Sequence, residues 1–297
     1  MTKVLVTGAN GFTGRFVVKA LAARGKEVHA LVRKPGAVID GAVSSHACDL
    51  ADATALGAAI KAIAPDRVVH LAAIAFVAHG DVDEMYRTNI VGTRNLLEAL
   101  SRQGSPGSVI AASSANIYGK ACSGIIDEAT PADPANDYGI TKLTVEHLAK
   151  LYSDRLPITV TRPFNYTGVG QAADYLVPKI VDHVRRRAPR MEIGNINVER
   201  DFADVRTVAE IYARLDDAPN TSGHTYNICS GQAVSLRYII DTACQLAGHT
   251  MEIAINPEFM RANEVRFLCG NPARLEAAIG PVDMPPLEAT LRWMLEA

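Results

Sequence analysis

The first two-thirds of the chain alternate short runs of β-branched residues with longer stretches in which apolar residues recur every three or four positions. The short runs are typical of buried strands and the longer stretches of amphipathic helices. The alternation therefore predicts βαβ units in a doubly wound, parallel α/β sheet. The predicted strands cover residues 3–7, 27–32, 68–71, 108–113 and 158–162, and the predicted helices include 14–23, 52–63, 83–101 and 139–151.

The pattern changes after Arg162 and Pro163. Glycine and proline become more frequent, the strand-like runs shorten, and the helical patterns at 175–187 and 236–247 are separated by irregular segments. These features predict a smaller α/β lobe resting on the carboxyl edge of the sheet. We expect one domain from 1–165 with roughly 200–230, and a lobe from 166–199 and 231–297.

Composition and charge exclude several kinds of partner. Hydrophobic residues make up 48 % of the 297 residues, as in ordinary packed domains. Thirty basic against thirty-two acidic side chains give a net charge of -2, so no global positive field attracts nucleic acid or a membrane surface. Five scattered cysteines without a C-x-x-C spacing predict neither a disulfide framework nor a metal site. Without a secretory signal or a membrane-spanning apolar run, we expect a cytoplasmic protein.

A glycine-rich turn follows the first predicted strand. Gly8, Gly11 and Gly14 form a G-x-x-G-x-x-G spacing that leads into the first predicted helix. This spacing differs by one residue from the fingerprint of Rossmann dinucleotide-binding folds. Gly8 permits the tight turn, Gly11 lets backbone N–H groups approach a pyrophosphate, and Gly14 lets helix and strand pack closely. Asn10 and Phe12 complete the predicted cofactor-binding turn, and a loop without a ligand is the alternative.

The end of the second predicted strand indicates which nicotinamide cofactor is bound. Arg33, with Lys34, stands where a carboxylate would bind the ribose hydroxyls of NAD. A guanidinium can pair with a 2′-phosphate, so NADP(H) is preferred and NAD(H) is possible. An exposed basic strand end is the alternative.

Further cofactor contacts are predicted after a strand-like segment that ends before Asp49 and after the predicted strand 68–71. The carboxylate of Asp49 could accept a hydrogen bond from the adenine amino group, or belong only to the cap of the next helix. Small side chains after the predicted strand 68–71 would leave room for a flat cofactor, or allow close helix packing. The residues concerned are Asp49, Leu50, Leu71, Ala72 and Ala73.

Tyr138 and Lys142 are separated by four positions and so lie on one face of a predicted helix. A nearby ammonium favours the phenolate, so we expect Lys142 to lower the pKa of Tyr138. Such a pair can move a proton at a carbonyl or alcohol oxygen, although the spacing alone is common. Ser114 lies in the segment 113–119, at the carboxyl end of the predicted strand 108–113, and adds a polar group where open α/β sheets bind ligands.

In these motifs the chain resembles the extended short-chain dehydrogenase/reductases that modify nucleotide sugars. The resemblance implies that Ser114 binds the substrate carbonyl oxygen, that Tyr138 donates or accepts the proton, and that Lys142 binds the nicotinamide ribose. It also implies a homodimer in which helices 83–101 and 139–151 form a four-helix bundle; burial within one chain is the alternative. The matching segments are 7–14, 49–50, 70–73, 89–93, 113–119, 138–142 and 162–165.

Segments of the second lobe resemble the reductases of GDP-linked 4-keto-6-deoxy sugars within that family. These segments are 164–171, 194–195, 200–206, 226–231 and 261–265. The resemblance implies that Asn165, Arg200 and Arg261 bind the GDP diphosphate and that Glu264 accepts from a ribose hydroxyl. Paired arginines suit a diphosphate because each guanidinium can bind two phosphate oxygens. A surface ion pair is the alternative for either arginine.

Departures from related activities narrow the expected reaction. The family's 4,6-dehydratases carry an acid directly after the catalytic serine or threonine, whereas this chain has Ala115 and Asn116. The GDP-fucose synthases carry a cysteine at the position of Asn116 and a histidine in the lobe; residues 168–181 contain none. The resemblance therefore implies NAD(P)H-dependent reduction of a 4-ketone to GDP-D-rhamnose or GDP-6-deoxy-D-talose. The alternatives are a redox-neutral 4-epimerase and a non-catalytic NAD(P)-binding sensor.

Overall fold

The computed structural model describes residues 1–75, 81–104, 106–119, 124–259 and 266–297. Within those ranges, no helix is long and apolar enough to cross a membrane. The strands are β1 Lys3–Thr7, β2 Glu27–Val32, β3 Ser44–Ala47, β4 Arg67–His70, β5 Ser108–Ala112, β6 Ile125–Ile126, β7 Ile158–Pro163, β8 Asn165–Thr167, β9 Arg190–Ile193, β10 Glu199–Asp204, β11 Thr225–Ile228, β12 Ala233–Ser235, β13 Glu252–Ile255 and β14 Phe267–Gly270. The α-helices are α1 Phe12–Ala23, α2 Ala53–Ile63, α3 Val82–Tyr86, α4 Gly92–Arg102, α5 Asp137–Leu151, α6 Leu176–Arg185, α7 Val205–Asp217, α8 Leu236–Ala247, α9 Ala273–Ile279 and α10 Leu287–Glu296.

The main sheet has seven parallel strands in the order β11-β7-β5-β4-β1-β2-β3. Its central strands are largely apolar because helices cover both faces, and Val4, Leu5 and Val6 are fully buried. One apolar core joins one face to α1 and α7, and a second joins the other face to α2, α4 and α5. This arrangement confirms the predicted doubly wound parallel sheet.

The predicted helix 83–101 is interrupted. Helix α3 ends at Tyr86, a π-helical turn covers Arg87–Val91, and α4 begins at Gly92. The wider turn changes the helical phase and buries the side chain of Asn89. A Cβ at Gly92 would lie 2.8 Å from the Leu50 Cβ, so α4 starts at a close contact that needs glycine. Sequence periodicity predicted one helix because it cannot register a single extra residue.

The second half of the chain builds a smaller α/β lobe. Its larger sheet has the order β12-β10-β14-β6, with β8 paired to β10, and β9 pairs with β13. Helices α6, α8 and α10 enclose an apolar core of their own. After β10, the chain returns to the main sheet through α7 and β11. The exact division of the chain into two domains stays a prediction.

The buried carboxylate of Asp201 joins three segments of this lobe. One oxygen accepts the N–H and the hydroxyl of Ser230, both at 2.7 Å. The other accepts the N–H groups of Gly231 at 2.9 Å and Gly270 at 3.3 Å. Burial raises the pKa of Asp201, and these hydrogen bonds oppose that shift. Because Asp201 lies next to Arg200, this contact also positions a predicted substrate-binding strand.

We predict that Asp201→Asn lowers the free energy of unfolding by about 2 kcal/mol or more, because the new amide would face N–H donors and leave them unpaired. Urea denaturation at pH 7 measures this change. The matched control is Asp40→Asn, whose side chain is 83 % exposed and paired only with Lys19 at 3.0 Å among the described contacts; we expect a change below about 0.5 kcal/mol. Equal stability of the Asp201→Asn variant and the native chain would show that the carboxylate is not required.

Candidate active site

The glycine turn after β1 is shaped by close backbone contacts. Gly8 has a φ of 68°, and a Cβ there would lie 2.8 Å from the main-chain nitrogen of Ala72. The N–H of Gly11 donates to the carbonyl oxygen of Gly8 at 2.9 Å. A Cβ at Gly14 would overlap the same oxygen. All three glycines are therefore needed for the β1 strand, the turn and α1 to pack together.

The beginning of α1 fits a pyrophosphate. Gly11 is the N-cap, and no side chain in the described part of the structure caps the first-turn N–H groups. Such groups form an anion site at the positive end of the helix dipole. Phe12 stacks on Tyr166 with ring centroids 6.1 Å apart, and Asn10 is exposed at the tip of the turn. The turn is therefore suited to the diphosphate of a dinucleotide.

The other predicted cofactor residues follow the neighbouring strands. Arg33 comes directly after β2, is 62 % exposed, and pairs with Glu84 at 2.8 Å. Asp49 accepts the N–H of Ala51, while Asp52 caps α2, so Asp49 is not the helix cap. Leu50 is buried after β3, and Leu71, Ala72 and Ala73 are partly buried after β4.

The structure brings Ser114, Tyr138 and Lys142 together at the carboxyl end of β5. The Ser114 side chain interacts with the Tyr138 phenol and favours its ionised form, which lowers the pKa of Tyr138 against the effect of burial. The Lys142 ammonium donates to the carbonyl oxygen of Ala112 at 2.7 Å and lies 5.9 Å from the centre of the Tyr138 ring. The three groups thus lie together at the end of β5.

Burial dominates the ionisation of this site. Burial raises the pKa of the Tyr138 phenol, the nearby phenols of Tyr166 and Tyr175 add to the rise, and the Ser114 side chain opposes it. Burial lowers the pKa of Lys142 to about 8. The structure differs from the expectation that Lys142 lowers the pKa of Tyr138, because the cost of burying a phenolate is larger. Tyr138 is a neutral phenol at pH 7 and can donate a proton.

Helix α5 approaches the serine segment through a glycine. A Cβ at Gly139 would lie 2.7 Å from the carbonyl oxygen of Asn116. Asn136 caps the helix by accepting the N–H of Gly139 at 2.9 Å. This close approach sets the separation between Tyr138 and Ser114.

A buried histidine links the strand ends, and sequence reasoning assigned it no role. The Thr93 hydroxyl donates to the carbonyl of Asn89 at 2.6 Å, so it accepts from His70 Nε2 at 2.9 Å. His70 Nδ1 then accepts from the Thr7 hydroxyl at 2.7 Å, and that oxygen accepts the N–H of Ala72 at 3.2 Å. Burial lowers the pKa of His70 to about 3, so the ring stays neutral. The sequence feature that could have indicated this contact is the presence of Thr7 and His70 at the ends of two apolar strands, β1 and β4.

Asn89 connects the loop after β4 to the helix that carries Tyr138. Its amide oxygen accepts the N–H of Ile74 at 2.8 Å. Its amide nitrogen donates to the Ile74 carbonyl at 3.1 Å and to the Thr141 hydroxyl at 3.0 Å. Thr141 in turn donates to the carbonyl of Tyr138 at 2.8 Å. The π-helical turn is thus the device that couples the cofactor side of the site to α5.

The predicted substrate residues lie on the second lobe where the structure describes them. Asn165 on β8 donates to the carbonyl of Asp201 at 3.2 Å. Arg200 on β10 donates to main-chain carbonyls that include that of Arg266, at 3.2 Å. Arg261 and Glu264 lie outside the described residues.

Comparison with known proteins agrees with this geometry. The family described as the NAD dependent epimerase/dehydratase family matches residues 4–229. The chain belongs to this family. Membership in the NAD dependent epimerase/dehydratase family makes a nicotinamide dinucleotide the ligand expected at the glycine turn.

Three members of the family are particularly similar. GDP-6-deoxy-D-talose 4-dehydrogenase of Aggregatibacter actinomycetemcomitans is 32 % identical, with 94 % of this chain and 91 % of that protein aligned. GDP-6-deoxy-D-mannose reductase of Pseudomonas aeruginosa is also 32 % identical, with 99 % and 96 % aligned. The structure of a candidate epimerase of Burkholderia cenocepacia J2315 is 44 % identical, covers 99 % of this chain and 97 % of its own, and has a TM-score of 0.91. Near-full-length relatives thus include GDP-sugar oxidoreductases.

Burial of Lys142 predicts a pH-dependent stability. Its folded pKa of about 8 lies below the ordinary 10.5, so the unfolded chain binds more protons between these values. The native chain should therefore gain stability relative to Lys142→Met as the pH rises from 7.5 to 10.5, by up to about 3 kcal/mol. Urea denaturation of both proteins at the two pH values measures the difference.

Lys150→Met is the matched control, because Lys150 is exposed on the same helix. It reports any general effect of pH on α5. A difference between the native chain and Lys142→Met that stays constant over this range would contradict a buried ammonium.

Proposed function

We propose that this protein is an NAD(P)H-dependent reductase of the 4-keto group of a GDP-linked 4-keto-6-deoxyhexose. The observation that carries the proposal is the juxtaposition of Ser114, Tyr138 and Lys142 at the end of β5, with Tyr138 a neutral phenol. Two relatives named for oxidoreduction of GDP-6-deoxy sugars support the substrate class.

In the proposed reduction, Tyr138 transfers the proton and Ser114 binds the ketone oxygen. A bound reduced nicotinamide supplies a hydride to carbon 4 of the sugar. The carbonyl oxygen gains the proton of the Tyr138 hydroxyl as its double bond to carbon is reduced to a single bond. Ser114 donates a hydrogen bond to the same oxygen and stabilises its negative charge. Lys142 holds a positive charge beside the phenolate that remains, until solvent returns the proton.

The described residues around Ser114 include no acid suited to water elimination. Positions 115 and 116 are alanine and asparagine, and neither side chain can remove a proton from carbon 5. This favours simple ketone reduction over 4,6-dehydration. The product is GDP-D-rhamnose or GDP-6-deoxy-D-talose, according to which face of the ketone receives the hydride.

A redox-neutral 4-epimerase is the second candidate. It would use the same serine, tyrosine and lysine, and the 44 % identity to a candidate epimerase favours it. An epimerase retains its dinucleotide through the cycle and consumes no reduced cofactor. The two candidates therefore differ in stoichiometry.

The test is the loss of absorbance at 340 nm with freshly prepared GDP-4-keto-6-deoxy-D-mannose and NADPH or NADH. We expect one cofactor oxidised per sugar reduced, and proton NMR of the product gives its configuration at carbon 4. Tyr138→Phe is the matched control, which should bind cofactor but lose nearly all turnover, about 1,000-fold or more. No oxidation with either cofactor, together with interconversion of a UDP- or GDP-hexose at carbon 4, would favour the epimerase.

We also propose a preference for NADPH that is restrained by Glu84. The Arg33 guanidinium can bind a 2′-phosphate, but one of its nitrogens, Nη1, is already paired with the Glu84 carboxylate oxygen Oε1 at 2.8 Å. Arg33→Ala should raise the KM for NADPH about tenfold and that for NADH much less, because only NADPH carries the phosphate. Glu84→Gln should lower the KM for NADPH by removing the competing charge.

Initial rates with each cofactor measure both changes. Asp83→Asn removes the same charge one residue away on α3 and serves as the control. If Arg33→Ala weakens both cofactors equally, the guanidinium contacts only the adenine.

We further propose a homodimer through α4 and α5. Three exposed apolar side chains lie on these segments: Val91 at the residue before α4, 44 % exposed, and Ile140 and Leu151 on α5, 41 % and 69 % exposed. Burying them against a second copy would form the four-helix bundle. A light-scattering mass of one chain at micromolar concentration would contradict this proposal.

A further inference from the structure

Asn116 makes two hydrogen bonds to the hydroxyl oxygen of Ser114. Its main-chain N–H and its side-chain Nδ2 each lie 3.1 Å from Ser114 Oγ. Both contacts arise in a 3-10 turn, Ala115–Ile117, for which Ser114 is the N-cap. Asn116 therefore contacts the serine hydroxyl through both its main chain and its side chain.

These contacts determine the direction in which Ser114 donates. A serine hydroxyl has one hydrogen to donate and two lone pairs to accept with. Asn116 donates to both lone pairs, so the only remaining function of the hydroxyl is that of a donor. The Ser114 side chain also lowers the pKa of the Tyr138 phenol, as a hydroxyl that donates toward the phenol oxygen does. The same direction places the hydrogen toward a ligand oxygen bound between Ser114 and Tyr138.

We propose that Asn116 is a positioning residue that keeps Ser114 a hydrogen-bond donor toward the reacting ketone oxygen. The inference rests on the proposed reductase function, and it adds the residue that determines the polarity of the oxygen site. A donor oriented before the substrate binds needs no reorganisation as negative charge develops on that oxygen. An amide suits this role because, unlike a carboxylate, it can donate.

Asn116 also contacts the helix that carries the proton donor. Its carbonyl oxygen occupies the space where Gly139 would have a Cβ. One short turn thus orients the Ser114 hydroxyl with its donors and sets the approach of α5 with its carbonyl. Asn116 therefore positions both the Ser114 hydroxyl and the helix that carries the Tyr138 hydroxyl.

The decisive variant is Asn116→Asp, which is nearly isosteric. An ionised carboxylate accepts but does not donate, so it would take the Ser114 hydrogen and turn it away from the ketone oxygen. At pH 8 we expect kcat/KM to fall about 100-fold, the usual cost of losing one oxyanion donor. At pH 5, where about 7 % of an ordinary aspartate carboxyl is protonated and can donate again, we expect about fivefold recovery relative to the native enzyme.

Two controls separate this effect from a change in charge or fold. Asn136→Asp introduces the same charge at the cap of α5, where aspartate also accepts the Gly139 N–H. We expect its activity relative to the native chain to show no such recovery at acid pH. In a Ser114→Ala background, Asn116→Asp should have little further effect, because Asn116 acts through Ser114.

A substrate-free measurement tests the same contact independently. The protein is prepared with its tyrosines labelled with carbon-13 at Cζ and observed by NMR. The Tyr138 signal is the one that is missing from the Tyr138→Phe variant. Its chemical shift reports a hydrogen bond from Ser114 to the phenol oxygen. We expect Asn116→Asp and Ser114→Ala to shift this signal alike at pH 8, and Asn136→Asp to leave it in place. Failure of the native chain to oxidise NADPH or NADH would overturn the reductase proposal, and this signal would still decide the role of Asn116.

The inference is overturned by either of two results. One is an Asn116→Asp enzyme whose activity relative to the native enzyme does not change between pH 5 and pH 8. The other is an unshifted Tyr138 signal in a folded Asn116→Asp protein. Thermal unfolding by circular dichroism verifies the fold of each variant.

Discussion

Polar groups buried at the carboxyl ends of the parallel strands must find partners, and this requirement organises the site. An unpaired buried donor or acceptor costs about 1–3 kcal/mol, a large share of the stability of a domain. The structure meets the requirement by pairing such groups between elements. His70 connects β1, β4 and α4, and Asn89 connects the loop after β4 to α5. The Lys142 ammonium donates to the last residue of β5. The contacts that satisfy these groups also hold them in place for chemistry.

The site depends equally on the absence of side chains. Glycines at the turn after β1, at the start of α4 and next to Tyr138 each stand where a Cβ would meet a neighbouring atom within 3 Å. These positions allow α1, α4 and α5 to approach the strand ends closely. The turn that could bind a diphosphate and the helix that carries the phenol are therefore both located by backbone contacts, which tolerate little displacement.

The same dry environment explains why Tyr138 and Lys142 shift in opposite directions. Burial disfavours the charged form of each group, so the phenol keeps its proton more strongly and the ammonium releases its proton more readily. A ketone reductase needs a proton donor, and a neutral phenol meets that need directly. The Lys142 ammonium lies 5.9 Å from the centre of the Tyr138 ring, and the cost of burying a phenolate there outweighs its attraction.

Local pattern in the sequence determined the parallel sheet, the glycine turn and the segments that bear Ser114, Tyr138 and Lys142, because strand and helix periods and glycine spacing are properties of neighbouring residues. Only the tertiary structure decided the break at Arg87–Val91 and the ionisation of Tyr138. Each of these depends on groups far apart in the chain. The role of Asn116 illustrates the difference, since a residue two positions from Ser114 acquires a donor role only when a 3-10 turn folds its amide back onto the hydroxyl.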